Sequence, residues 1–208
     1  MKRCVIVGGA DIRNYDAVAG LLKPDDYVIF CDSGLKHMEK LGVKPGLIVG
    51  DFDSHENPKL PVETVVLPCI KDDTDSVFAA KEAVRRGFDE FLFLGVIGGR
   101  LDHTIGNVSV LLKLHSLGKK AVIADDYGLM QVIGAEGAEI DDTCRFFSLL
   151  NIDGTAKHIN VTGAKYPVTD GEITNEYQYG ISNEVLPGQT ARVTVGEGRL
   201  LLIEIRQE

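Results

Sequence analysis

Five short apolar runs constrain the N-terminal part of this sequence more than anything else in it. Residues 4–7, 27–31, 47–49, 91–94 and 121–124 are continuously apolar rather than alternating. A strand wetted on one face alternates polar and apolar residues, whereas one covered on both faces does not. Helix-like segments lie between the runs: 15–22, 34–41 closed by Gly42, 76–86 closed by Gly87, and one ending near 117 before Gly118. Val77, Ala80 and Val84 mark an apolar stripe on the third of these. Further strands are expected over 63–67 and 129–133. Alternating strands and helices of this kind predict an α/β domain with a mostly parallel sheet sandwiched by helices.

The style changes near residue 139. Segments 145–150, 157–161, 173–179, 191–195 and 200–205 read as strands joined by Gly, Pro, Asp and Asn turns, without a helical stripe. Gly196-Glu197-Gly198 reads as a hairpin turn. The expected division is an α/β domain over 1–138, holding nucleotide and metal, and a small all-β sandwich over 139–208. The net charge of −9 argues against nucleic acid as main partner, because backbone binding needs a basic face. No apolar run approaches a membrane span, and the run before Gly8-Gly9 is too short for a signal peptide, so a cytoplasmic protein is expected. The cysteines at 4, 31, 69 and 144 have no Cys-x-x-Cys spacing, so neither structural zinc nor a disulfide framework is expected.

In open α/β sheets ligands bind beyond the C-terminal strand ends. The acidic and Gly-rich clusters fall at those ends. After the third run comes Gly50-Asp51-Phe52-Asp53-Ser54. Extended residues two apart point to one side, so Asp51 and Asp53 are expected to project together. Two carboxylates about 4 Å apart repel by about 4 kcal/mol at an effective dielectric of about 20. Such a pair shares a proton or binds a cation, and oxygen ligands favour Mg²⁺ over Zn²⁺. The alternative is a polar turn in which Asp51 is a cap. Lys71-Asp72-Asp73-Thr74-Asp75 opens a helix, either with Asp72 as N-cap or with Asp75 as a metal ligand and Lys71 and Thr74 on phosphate oxygens. In Gly98-Gly99-Arg100-Leu101-Asp102-His103 the glycines permit close backbone approach and Arg100 offers a planar fork for phosphate. Asp102 is placed to hold Arg100, cap the helix or reach a metal, and His103 is either a base or a structural imidazole. No P-loop, dinucleotide fingerprint or nucleophile elbow is present.

Together these motifs resemble the thiamin pyrophosphokinase family. The likeness runs along nearly the whole chain and includes Cys31-Asp32-Ser33-Gly34-Leu35, Thr162-Gly163-Ala164-Lys165-Tyr166-Pro167 and Gly180-Ile181-Ser182-Asn183-Glu184. The resemblance implies an α/β catalytic domain followed by a β-sandwich. It implies a homodimer, with active sites between the catalytic domain of one chain and the sandwich of the other. The implied reaction moves a pyrophosphoryl group from the co-substrate ATP to the hydroxyl of thiamin, giving thiamin diphosphate and AMP. By the resemblance, Asp51, Asp53 and Asp75 hold Mg²⁺ and join Arg100 and Asp102 in catalysis. Asp32, Lys71, Asp72, Thr74, Arg100 and His103 contact the nucleotide, and Ser182 and Asn183 contribute to the thiamin pocket.

The chain departs from the family pattern at three places. Ser33 stands where many members have Gly, and Ile181 where Thr is frequent. The chain also has no Trp, only Leu200-Leu201-Leu202 in the last strand. Other readings of the same residues are a pyrophosphokinase for another hydroxymethyl heterocycle such as a pterin, or a metal-dependent phosphohydrolase acting on water. A non-catalytic nucleotide-binding regulator is a third, against which the retained acidic positions speak.

Overall fold

The computed structural model describes residues 2–53, 57, 59–70 and 72–206. The chain divides into two compact units, Met1–Asp126 and Tyr127–Glu208.

The first unit is built on β1 (Arg3–Val7), β2 (Tyr27–Cys31), β3 (Leu47–Gly50), β4 (Thr64–Val66), β5 (Glu90–Leu94) and β6 (Lys120–Ala124). Every pairing among them is parallel, in the order β6-β5-β1-β2-β3-β4. The continuous apolar runs are explained by burial on both faces: residues 4–7, 28–31, 47–50 and 91–94 are all buried. The chain runs from β1 outward to β4, then returns to β5 on the other side of β1. Strand order therefore reverses between β1 and β5, where doubly wound sheets open a crevice.

Five helical segments, α1 (Tyr15–Ala19), a 3₁₀ segment (Asp32–His37), α2 (Met38–Leu41), α3 (Asp75–Arg85) and α4 (Leu101–Ser116), occur among the described residues of this unit. The helix expected over 34–41 is thus 3₁₀ in its first half, to His37, and α-helical from Met38. It leaves directly from the end of β2 and presses Gly34 onto β1, where an added Cβ would meet Val7 O at 2.2 Å. The α3 stripe also differs from expectation: Ala79, Ala80 and Ala83 are buried, while Val77 and Val84 are half-buried. α3 lies over β1, β2 and β3 and against α4, which covers β6.

The second unit is two antiparallel sheets. One holds β7 (Gly128–Ile133), β14 (Leu200–Ile205), β9 (Phe146–Leu150) and β12 (Gly180–Asn183), and the other β8 (Ala138–Asp141), β13 (Thr190–Thr194), β10 (Thr155–Thr162) and β11 (Val168–Thr174). Phe147, Leu149, Leu200 and Leu202 of the first sheet share a core with Ile159, Val161, Ala191 and Val193 of the second. The compact unit begins at Tyr127 rather than 139, because β7 pairs along its whole length with β14. Gly196-Glu197-Gly198 does not close a hairpin. It carries the chain from β13 in one sheet to β14 in the other. The strand expected over 173–179 ends at Thr174, where Tyr177 N–H returns to Thr174 O and makes a turn. No helix among the described residues is long and apolar enough to cross a membrane.

His37 ties the 3₁₀ segment to the loop after β1. It is 2% exposed, its Nε2 lies 2.9 Å from Ala10 O, and its Nδ1 lies 2.6 Å from the Tyr15 hydroxyl. Nε2–H donates to the carbonyl, and in the neutral ring Nδ1 then accepts from the Tyr15 hydroxyl. Burial pushes its pKa below the usual imidazole value; Lys36 and Lys40 add to this, while Ala10 O and Asp11 oppose it. A depressed folded pKa means that stability is intact above about pH 6.5 and declines as the pH falls through the lower folded value. The melting temperature is therefore expected to drop between neutral pH and mildly acidic pH, and this slope should flatten in His37→Gln. Parallel slopes for the two proteins would contradict the assignment.

Candidate active site

Asp32, Asp51 and Asp53 each bring a carboxylate oxygen within 4.8 Å of the others. Asp32 follows β2 as the first residue of the 3₁₀ segment and is 6% exposed; Asp51 is half-buried and Asp53 exposed. The approach of β3 to Asp32 requires a residue without a side chain, since an added Cβ on Gly50 would lie 2.7 Å from Asp32 Cβ. Strand alternation does not aim Asp51 and Asp53 together. β3 ends at Gly50, and Phe52 takes φ +54°, a left-handed conformation that costs about 1–2 kcal/mol for such a residue. The chain turns there, and Asp53 N–H reaches back toward Asp51 Oδ1 at 3.4 Å.

Two of the three acids expected to hold Mg²⁺, Asp51 and Asp53, lie together in this group. Asp32, expected at the nucleotide, joins Asp51 and Asp53, while Asp75 stands outside this group. Three carboxylates at such separations repel strongly, and the oxygen-only donor set matches a hard divalent cation. The donors present therefore fit Mg²⁺.

A cleft of about 450 Å³ opens at the β1/β5 reversal. Its floor is glycine. An added Cβ on Gly8 would lie 2.7 Å from Gly95 O, and one on Gly95 would lie 2.6 Å from Gly8 O. Ala10 N–H donates to Gly95 O at 2.7 Å, locking the two turns together. Thr74, Asp75, Arg100 and His103 line the walls. An anion entering this cleft would lie beside the N-terminus of α3.

Thr74, not Asp72, caps α3, and its hydroxyl accepts from Val77 N–H at 3.4 Å. Asp72 is exposed outside the helix, and Asp73 pairs with Lys81 at 2.6 Å. Lys71 lies outside the described residues. Gly98 and Gly99 take φ +97° and +66°, a path closed to most side chains. Thr104 staples this loop: its Oγ1 accepts from Gly98 N–H at 3.1 Å and donates to Arg100 O at 3.3 Å. Asp102 grips Arg100 through Nε at 3.2 Å and a terminal nitrogen at 2.5 Å. The Arg100 guanidinium pulls the Asp102 pKa down to about 2. Of the three roles open to Asp102, the structure shows the first. His103 is exposed on the first turn of α4.

In the second unit Ser182 is exposed at φ +57°, and its N–H donates to Ser148 Oγ at 3.0 Å. Asn183 is buried and engaged within the fold. Its Oδ1 accepts from Tyr166 N–H and Glu184 N–H at 3.0 and 2.9 Å, and its Nδ2 donates to Tyr166 O at 2.8 Å. It braces the Tyr166-Pro167 loop, which leaves Ser182 as the surface member of the pair.

Sequence reasoning missed Ser76 and Asn107. Asn107 lies in the cleft wall and is 6% exposed. Its position is three residues before Val110 and seven before Leu114, on the buried stripe of α4. A polar residue there was the available signal.

Two family models match this chain. "Thiamin pyrophosphokinase, catalytic domain" covers residues 18–123, and "Thiamin pyrophosphokinase, vitamin B1 binding domain" covers 138–200. A thiamine pyrophosphokinase of Bacillus subtilis is 28% identical, over 99% of each chain. Among solved structures, thiamine pyrophosphokinase from Bacillus subtilis superposes with a TM-score of 0.88 at 24% identity, covering 98% of this chain and 99% of that one. Thiamin pyrophosphokinase from Geobacillus thermodenitrificans gives 0.85 at 26%, covering 98% and 97%. The structural likeness establishes the shared architecture, and the two models span both units in the family's order. The chain belongs to the thiamin pyrophosphokinase family.

Proposed function

We infer that this protein transfers the pyrophosphoryl group of ATP to the hydroxyl of thiamin, releasing AMP. The observation that carries the reading is one strand-end rim bearing both the Asp32/Asp51/Asp53 cluster and the glycine-floored cleft. Membership of the family supports the choice of thiamin as acceptor.

Pyrophosphoryl transfer needs positioning and charge neutralisation more than covalent chemistry. Asp32, Asp51 and Asp53 would hold Mg²⁺, which when bound supplies neutralisation of the triphosphate charge. The Gly8 and Gly95 turns admit the phosphates close to backbone, and the α3 N-terminus adds partial positive charge. Arg100, held by Asp102, stands ready to offset charge on the transferred group. Asp75 and His103 line the same cleft, and Asp75 is kept as a cleft-facing acid rather than a first ligand. Ser182, on the exposed rim of β12, is proposed to face the organic acceptor. In this reading the first unit binds ATP, the second binds thiamin, the enzyme is a homodimer as the family resemblance implies, and it works in the cytoplasm.

Asp53→Asn, and separately Asp32→Asn, should cut AMP formation with thiamin by at least about 10²-fold, with the fold preserved by circular dichroism. Substantial turnover in either variant would remove that residue from the cation site. The same assay run with thiamin, a hydroxymethyl pterin and no acceptor should give AMP with thiamin alone. Phosphate or pyrophosphate release without acceptor would instead mark a hydrolase.

Arg100→Lys keeps the charge and loses the fork, so kcat should fall by at least about 10²-fold. Asp102→Asn should fall less, because it loosens the guanidinium without removing it. Equal losses in both variants would contradict the division of roles.

A further inference from the structure

A chain of side-chain hydrogen bonds crosses from α3 to the turn after β5, and the transfer reaction as read above does not use it. Asn107 Nδ2 lies 2.9 Å from Val96 O, Asn107 Oδ1 lies 2.7 Å from Ser76 Oγ, and Ser76 Oγ lies 3.1 Å from Thr74 Oγ1. Its direction follows from chemistry. A carbonyl only accepts, so the amide nitrogen must face Val96. The amide oxygen then faces Ser76, whose single hydroxyl proton goes to it. Ser76 Oγ is left to accept, so Thr74 must donate its proton inward. Thr74 Oγ1 in turn accepts from Val77 N–H.

We propose that Asn107 is a positioning residue for nucleotide binding, fixing both the place and the polarity of the α3 N-terminus. The proposal rests on the reading of this cleft as the ATP site. Asn107 joins two walls of that cleft: the Gly95-Val96 turn, and the Thr74-Asp75-Ser76 start of α3. The two walls belong to segments twenty residues apart in sequence. The side-chain chain thus sets how far Thr74 and Asp75 stand from the glycine floor. It also commits the Thr74 proton inward, so that Thr74 meets the cleft as an acceptor. Thr74 is therefore matched to a donor, such as a water molecule, and not to a bare phosphate oxygen as first expected. Losing the Asn107 amide strips Val96 O of this donor in a buried wall, and losing the Ser76 hydroxyl strips Asn107 Oδ1 of its donor; either break lets the helix start drift.

The test is titration calorimetry of the full-length protein with the α,β-methylene analogue of ATP and Mg²⁺, well below the melting temperature of each variant. Ser76→Val and Ser76→Thr have nearly the same shape and differ by the hydroxyl. Ser76→Val is expected to weaken analogue binding about tenfold, with Ser76→Thr within about twofold of the parent. Asn107→Leu should match Ser76→Val, and the double variant should be no weaker than either single, because one chain is broken in all three. In turnover assays the loss should appear in the KM for ATP more than in kcat. Equal affinities for Ser76→Val and Ser76→Thr, or additive losses in the double variant, would overturn the proposal, and so would a parent protein that does not bind the analogue. Melting temperatures that fall while affinity holds would show a purely structural role and would also overturn it. The titration needs no acceptor, so binding without thiamin-dependent AMP release would count against the acceptor assignment and not against Asn107.

Discussion

Mutual repulsion among Asp32, Asp51 and Asp53 is the constraint around which the first unit is arranged. Three carboxylates within 4.8 Å of one another do not gather unaided. Asp32 is fixed by the burial of the 3₁₀ segment, which Gly34 lets settle onto β1. Gly50 removes the Cβ that would hold β3 away from Asp32. Phe52 turns through a left-handed conformation to bring Asp53 back toward Asp51. Each device costs stability or conformational freedom, and their coincidence at one rim is what makes a cation the natural counterpart. Strain stored at such a place is common where geometry serves chemistry.

Much of this was legible in the sequence. Continuous apolar runs are produced by burial on both faces, so β1, β2, β3 and β5 could be read with nearly correct ends. The glycines at 42 and 118 end helices because a left-handed residue there costs them little. The grouping of acids was harder. The alternation argument placed Asp51 and Asp53 together for the wrong reason, since it assumed extended chain through Phe52. It could not bring in Asp32, whose distance from them depends on the lateral pairing of β2 with β3. Thr74 displaced Asp72 as cap because α3 begins at Asp75, directly after Thr74. Asn107 was overlooked because a lone amide inside an apolar stripe looks like a solvated helix position until the stripe's burial is known.

The second unit was read less well, for a physical reason. Antiparallel strands are short and pair with partners set by turns, and a slip of one residue turns every side chain to the other face. The turn at 196–198 links the two sheets instead of closing one. β8 and β12 escaped notice, the first in a polar stretch and the second because Ser182 bends out of extended conformation. Ser182 and Asn183, neighbours in one motif, also part company: one faces outward and the other braces the Tyr166-Pro167 loop.

The account stands on a divalent ion held between side chains 32, 51 and 53 and a triphosphate. Crystals of the full chain grown with Mn²⁺ and α,β-methylene-ATP test this directly, because manganese scatters anomalously. A single strong peak within coordinating distance of those three carboxylates and of phosphate oxygens is the predicted result. A peak bound elsewhere on the nucleotide, with the three acids clear of it, would contradict the account.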